Sequence, residues 1–339
     1  MLSAVAISAA DTGCSDDFEN DIRMSGNVIL NIDAPTQWTG GNDDTDNSAS
    51  RCISIEATDT SDGDTPLYLH TFEADNQATV PAAQSRGALA KSVSSFSLSA
   101  ICYPGEYPSD EADITWTPDF AYNLTYTVNG STAAGTTLQW PAGGKVRFFA
   151  FAPIADNSHS DAAGVFTLSP STQPGSPKIT YTVPTDVKKQ TDIMAACTDA
   201  TSPDVTLNFR HALTAVKIVA ASDMLPGKIT DVEISGVYGS GTFTPTPAGG
   251  TWVPAAAKAT YKVTRDLTLS PEESNSGYKP AGDTGNKKGE IIGDIPDKTE
   301  VTGETGDLTM LLIPQTLPEG ARLTIKFTDD LTGTARTLS

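Results

Sequence analysis

The chain has 339 residues and a formal charge of −20, from 42 acidic against 22 basic residues. That balance, with no basic stripe, excludes a nucleic-acid binder, because phosphate contacts need clustered Lys and Arg. A modest apolar share of 38%, with a remainder rich in Thr, Ser, Asp, Gly and Pro, excludes long amphipathic helices and predicts an all-β chain long enough for two domains.

After Met1 comes LSAVAISAA, an apolar and small-residue run far short of the about 20 residues that span a bilayer. It reads as a signal segment ending at Gly13 with Cys14 as the lipidated residue, or as an ordinary cleaved N-terminus. No Lys or Arg precedes the run, and Asp11 stands where a lipobox prefers an aliphatic residue. Residues 15–26 are polar and acidic, a tether.

From Asn27 the pattern becomes one of short strands. NVILNI (27–32) places Val28, Leu30 and Ile32 on one face. CISIEA (52–57) and PLYLHTF (66–72) are further candidates, and residues 73–92, with Arg86 and Lys91, read as an exposed connector. In SSFSLSAICY (94–103), Phe96, Leu98, Ala100 and Cys102 share a face while serines line most of the other. YNLTYTV (122–128), GKVRFFAFAP (144–153), VFTLSP (165–170) and KITYTVP (178–184) follow, each ending in turn residues. Short strands without intervening helices predict a β-sandwich.

In VTLNFRHALTAVKIV (205–219), Val205, Leu207 and Phe209 share a face continued by His211 and Leu213, and after Thr214 the apolar set becomes Val216 and Ile218. A one-residue slip swaps faces, so a kink or bulge is expected there, with Phe209, His211 and Leu213 at a domain junction. A second strand set runs from 229 to 330, interrupted by a Gly, Lys and Asp loop at 275–298. The expected division is a signal and tether at 1–26, a first sandwich at 27–206 and a second at 207–339, whose final hairpin at 322–339 lacks its return strand.

Catalytic and metal patterns are missing from the sequence. His70, His159 and His211 form no HExxH, GVYGSGTF (236–243) has glycines at the wrong offsets for a nucleophile elbow, and GNKKGE (285–290) is no P-loop. The acidic runs at 42–46 and 59–64 lack the Gly and Glu of an EF-hand. Cys14, Cys52, Cys102 and Cys197 form no zinc pattern and no disulfide framework. The expectation is therefore no catalytic residue, no metal and no cofactor. Trp38, Trp116, Trp140 and Trp252 are candidates for a sugar platform or for core plugs.

PLYLHT (66–71), SSFSLSAICY (94–103), LQWPAGGKVRFFAFAP (138–153), TDIMAA (191–196), LNFRHALTAVKI (207–218) and LLIPQTLPEGARLTIKF (311–327) together resemble, in order and separation, the fimbrillin family of pilus subunits and related surface lipoproteins of Gram-negative gut and oral anaerobes. The resemblance implies two tandem transthyretin-like β-sandwich domains, export as a lipoprotein through Cys14, and a cell-surface place on the outer membrane or fimbrium. It implies a trypsin-like maturation protease cutting after Arg86, or secondarily Arg51, to free a removable strand carrying Val28, Leu30 and Ile32. The alternative for both arginines is an exposed residue never cut. Implied partners are other fimbrial subunits and a host or bacterial surface protein or glycan. The competing reading is a surface glycan- or ligand-binding lipoprotein on the same fold.

Overall fold

The computed structural model describes residues 26–34, 93–155, 166–216, 218–220, 227–269, 299–302, 309–329, 333 and 335–338. The strands expected at 52–57 and 66–72, the connector at 73–92 and the loop at 275–298 lie outside them. The structure is all-β, as composition and period-two patterning predict. In chain order the strands are β1 (Ile29–Asp33), β2 (Ser95–Tyr103), β3 (Ala121–Asn129), β4 (Thr132–Gly135), β5 (Lys145–Ala152), β6 (Phe166–Leu168), β7 (Ile179–Thr182), β8 (Met194–Ala200), β9 (Asp204–Asn208) and β10 (Arg210–His211). Then come β11 (Thr214–Val216), β12 (Ile218–Ala220), β13 (Gly227–Tyr238), β14 (Ser240–Thr246), β15 (Gly249–Pro254), β16 (Lys258–Leu269), β17 (Thr299–Thr302), β18 (Met310–Leu312), β19 (Arg322–Asp329) and β20 (Ala335–Leu338). Single 3₁₀ turns at Glu111–Asp113 and Val187–Lys189 are capped by Asp110 and Asp186, whose carboxylates accept from backbone N–H groups two residues on.

An eight-stranded sheet runs in the order β10-β8-β5-β2-β3-β4-β1-β9. Its two ends are consecutive pieces of one backbone run. β9 pairs with β1, and β10, after a single intervening residue, pairs with β8, so the sheet rolls closed through Phe209. The Phe209 N–H donates to the Asp33 carbonyl on one side of the closure, and the Ala212 N–H donates to the Ile193 carbonyl on the other. Inside the roll lies a core that includes Leu30, Phe96, Leu98, Tyr126, Trp140, Phe148, Leu207 and Phe209.

β2 and β5 are buried on both faces over most of their length, and each face meets a different core. Val146, Phe148 and Ala150 point into the roll, while Phe149 and Phe151 join a second core outside it with Phe166, Ile179, Tyr181, Val232, Phe243, Tyr261, Leu311 and Phe327. Ser97 and Ser99 of β2 are fully buried. Ser97 Oγ accepts from the Ala155 N–H at 2.8 Å and Ser99 Oγ from the Asn123 N–H at 3.0 Å, so neither hydroxyl is buried without a partner. Asn123 sits at φ +50° beside a register shift between β2 and β3.

The second core is enclosed by a β15-β14-β7-β6 sheet, a β16-β13-β19-β20 sheet and the two-stranded pairs β11-β18 and β12-β17. β7 pairs with β14, so residues on either side of position 206 share a sheet as well as this core. The return strand expected to be missing is present among the described residues. β20 pairs antiparallel with β19 from Ile325↔Leu338 to Thr328↔Ala335, and Gly333 in the intervening turn takes φ +69°. Cys102 is disulfide-bonded, which composition and spacing did not indicate, and Cys197 is free.

Phe148 and Phe149 are neighbours that face opposite cores, and both are fully buried. Phe148→Ala and Phe149→Ala should each lower the unfolding free energy by about 3–5 kcal/mol in urea titrations. Because β5 belongs to both cores, both variants should shift one common transition; two transitions, each moved by only one variant, would show that the cores unfold independently.

Candidate functional site

The strand expected at 27–32 is present, and its apolar set faces inward. Leu30 is 3% exposed within the inner core, Val28 and Ile32 are half-buried against it, and Ile29 on the opposite face is 54% exposed. β1 lies between β9 and β4. Along β9 it is parallel, in continuous register from Ile29↔Asp204 to Asp33↔Asn208, with the Ile29 N–H donating to the Pro203 carbonyl at 2.7 Å. Along the other edge the pairing is antiparallel and interrupted. It consists of Asn31↔Thr132, an Ile32 N–H bond to the Ser131 carbonyl, and bonds from Val28 to Leu138 and from Trp140 to Gly26. Two exposed side-chain bonds, Asn31 Nδ2 to Asp204 Oδ1 and Gln139 Nε2 to Asn27 Oδ1, both 2.5 Å, fix its position further.

Leu30 shares the inner core with an aromatic cluster. Phe96 stacks on Tyr126 with centroids 5.5 Å apart and meets the edge of Phe209 at 5.4 Å. The Tyr126 hydroxyl donates to the Thr136 carbonyl, and its ring passes so close to the end of β4 that a Cβ at Gly135 would lie 2.6 Å from it. Only glycine fits there. Burial pushes the Tyr126 phenol up to about 12.

The junction residues straddle the two cores. Phe209 is buried in the inner core and Leu213 in the outer one; His211 lies between them, with Nδ1 2.7 Å from Asp192 Oδ2 and both side chains buried. The register break expected after Thr214 falls earlier. His211, Ala212 and Leu213 are buried in succession where the chain passes from the inner core, which holds Phe209, to the outer one, which both Ala212 and Leu213 join. The Trp252 indole N–H donates to the Ala212 carbonyl at 2.5 Å, and Arg210 donates to the Ala248 carbonyl at 2.8 Å, clasping the crossing from the β14-β15 hairpin. Sequence reasoning found His211 but not Asp192, which lies in TDIMAA with no local pattern to mark it.

Cys14, Arg51, Arg86, His70, His159 and Trp38 lie outside the described residues. The three described tryptophans pack on protein. Trp140 is inside the roll, Trp116 stands against Tyr103 and Tyr107, and Trp252 stands against Phe243. A depression lined by Ala195, Cys197, Asn208, Arg210 and the 246–249 turn holds about 40 Å³, room for water and not for a sugar ring. Burial pushes the Cys197 thiol there up to about 12, against the pull of Arg147. Among the described residues no group of three or more His, Cys, Asp or Glu side chains is arranged to hold a metal.

A family described as fimbrillin-like matches residues 106–338, most of the chain. The chain belongs to the fimbrillin-like family. This fimbrillin-like chain is similar in structure to a fimbrial protein from Bacteroides vulgatus ATCC 8482, at 18% identity over 72% of this chain and 81% of that one, with a TM-score of 0.47. It is also similar to candidate cell adhesion proteins from Bacteroides uniformis ATCC 8492 (16% identity, 75% and 78% coverage, TM-score 0.34) and Bacteroides thetaiotaomicron VPI-5482 (15% identity, 73% and 72% coverage, TM-score 0.31). No curated protein matches it.

Removing the His211 imidazole leaves a buried carboxylate without that contact, so His211→Ala should cost about 1–3 kcal/mol in urea titrations. A tyrosine's ordinary value is about 10, and the folded value for Tyr126 is higher. Its stabilisation is thus complete below pH 10 and is lost as pH rises towards 12. The urea midpoint should fall over that interval, and Tyr126→Phe should flatten part of the fall.

Proposed function

We propose that this fimbrillin-like protein is a non-enzymatic pilus subunit or fimbria-associated surface lipoprotein, and that β1 is an exchangeable strand. The family membership supports the pilus and adhesion role. The observation that carries the exchange reading is the seat of β1. It is a five-residue strand separated from β2 by residues 34–94, yet it plugs the inner core through Leu30 and completes the closure of the roll. Hydrolysis of one peptide bond in the intervening stretch, after Arg86 or Arg51, turns β1 from part of the chain into a bound peptide. A strand from another subunit then replaces it, gaining backbone bonds along two edges and apolar contacts at alternate side chains.

In this reading Cys14 carries the lipid that holds the protein at the outer membrane, a trypsin-like protease performs the cut, and the two cores correspond to two transthyretin-like sandwiches. Adhesion to a host or bacterial surface is the task of the assembled fibre.

Limited trypsin digestion followed by mass spectrometry should cut preferentially after Arg86 or Arg51, and the product should polymerise when an extended C-terminal donor strand is supplied. Leu30→Asp should make the cut product shed β1 spontaneously, because a carboxylate replaces a side chain whose burial is worth about 1.5–3 kcal/mol. Intact bonds at both arginines, or a cut product that stays monomeric with donor supplied, would sink the exchange reading.

A further inference from the structure

The pairing of β1 with β9 is the one parallel pairing among the described strands; every other described ladder is antiparallel. It is also the longer and more continuous of the two edges that hold β1. Parallel ladders are slightly less stable per residue than antiparallel ones, so β1 occupies its main edge in the weaker polarity.

Resting on the exchange reading above, we propose that the strand that replaces β1 enters reversed, antiparallel to β9. The occupant is an extended segment of a partner subunit with apolar side chains at three alternate positions. Reversal improves the long ladder along β9 and disturbs only the short, interrupted pairing with β4 and residues 138–140.

The side chains permit it. Val28, Leu30 and Ile32 form a near-symmetric apolar triplet, and a reversed strand centred on the Leu30 position still points three apolar groups into the roll. Of the side-chain bonds specific to β1, Asn31–Asp204 and Asn27–Gln139 are exposed, and water replaces such bonds at little cost. β1 is therefore a placeholder. It closes the roll while the subunit is single and is at a disadvantage against a donor of the other direction.

The test removes sequence bias by using a palindromic peptide, Asn-Val-Asn-Leu-Asn-Val-Asn, with a benzophenone photo-crosslinker at its amino end. The full chain carries an inserted protease site between Asp33 and Ser95, is cut there, and is incubated with excess peptide before irradiation and mass spectrometry. In the proposed polarity the amino end lies beside Asn208, and cross-links there should exceed those beside Ser202 by several-fold. Cross-links concentrated beside Ser202 would overturn the reversed polarity while leaving strand exchange standing. Failure of the peptide to displace β1 or to cross-link at either end would overturn the exchange reading and this proposal with it.

Discussion

The architecture depends on one run of backbone, residues 204–220, that never keeps the same partner for long. It pairs with β1, then β8, then β18, then β17, and while doing so it leaves the inner core at Phe209 and enters the outer one at Ala212. A sheet's free edges must be paired, covered or charged, and the roll meets that demand by letting one strand serve as both of its ends. Buried backbone groups at the changeover need partners of their own. They find them in the Asp33 and Ile193 carbonyls, while Trp252 caps the carbonyl of Ala212.

This arrangement ties the place where β1 sits to the packing of the second core without any hinge. The changeover is held by side chains from three directions. Asp192 meets His211, Gln190 accepts from the Leu311 N–H at the start of the outer pairs, and Arg210 reaches the turn of the β14-β15 hairpin. The first two of these contacts are buried, and buried polar groups specify one arrangement, since any alternative leaves them unsatisfied. β1 is held differently, by backbone bonds, one fully buried side chain and exposed amides.

Much of the fold was legible because a strand's period of two is written locally. The extents of β3, β5 and β7 follow from short apolar runs and turn residues, and the inward facing of Val28, Leu30 and Ile32 follows from six residues. Closure of the roll was not legible, because which distant strands pair depends on tertiary packing and leaves no trace in the period. The serines of β2 carried the wrong hint for the same reason. A polar alternate face ordinarily means water, and only the three-dimensional placement of Ala155 and Asn123 shows that backbone amides take water's place. The pattern break near His211 was legible, but it falls a few residues before Thr214: consecutive burial occurs where the chain passes between two cores, and reasoning from a single buried face does not foresee it. Of the candidate site, the inward-facing apolar set of β1 could be read, while the aromatic cluster of Phe96, Tyr126 and Phe209 could not.

The buried serines of β2 have a further consequence. Each is bound to an amide from a different neighbouring segment, so sliding β2 by one residue would break both bonds and drive serines into an apolar interior. The strand is pinned in register from both sides, and the aromatic cluster is built upon it. Under the proposed exchange, a receptor pinned in this way would be pre-organised, so the cost of ordering would fall mainly on the incoming strand and not on the site that takes it.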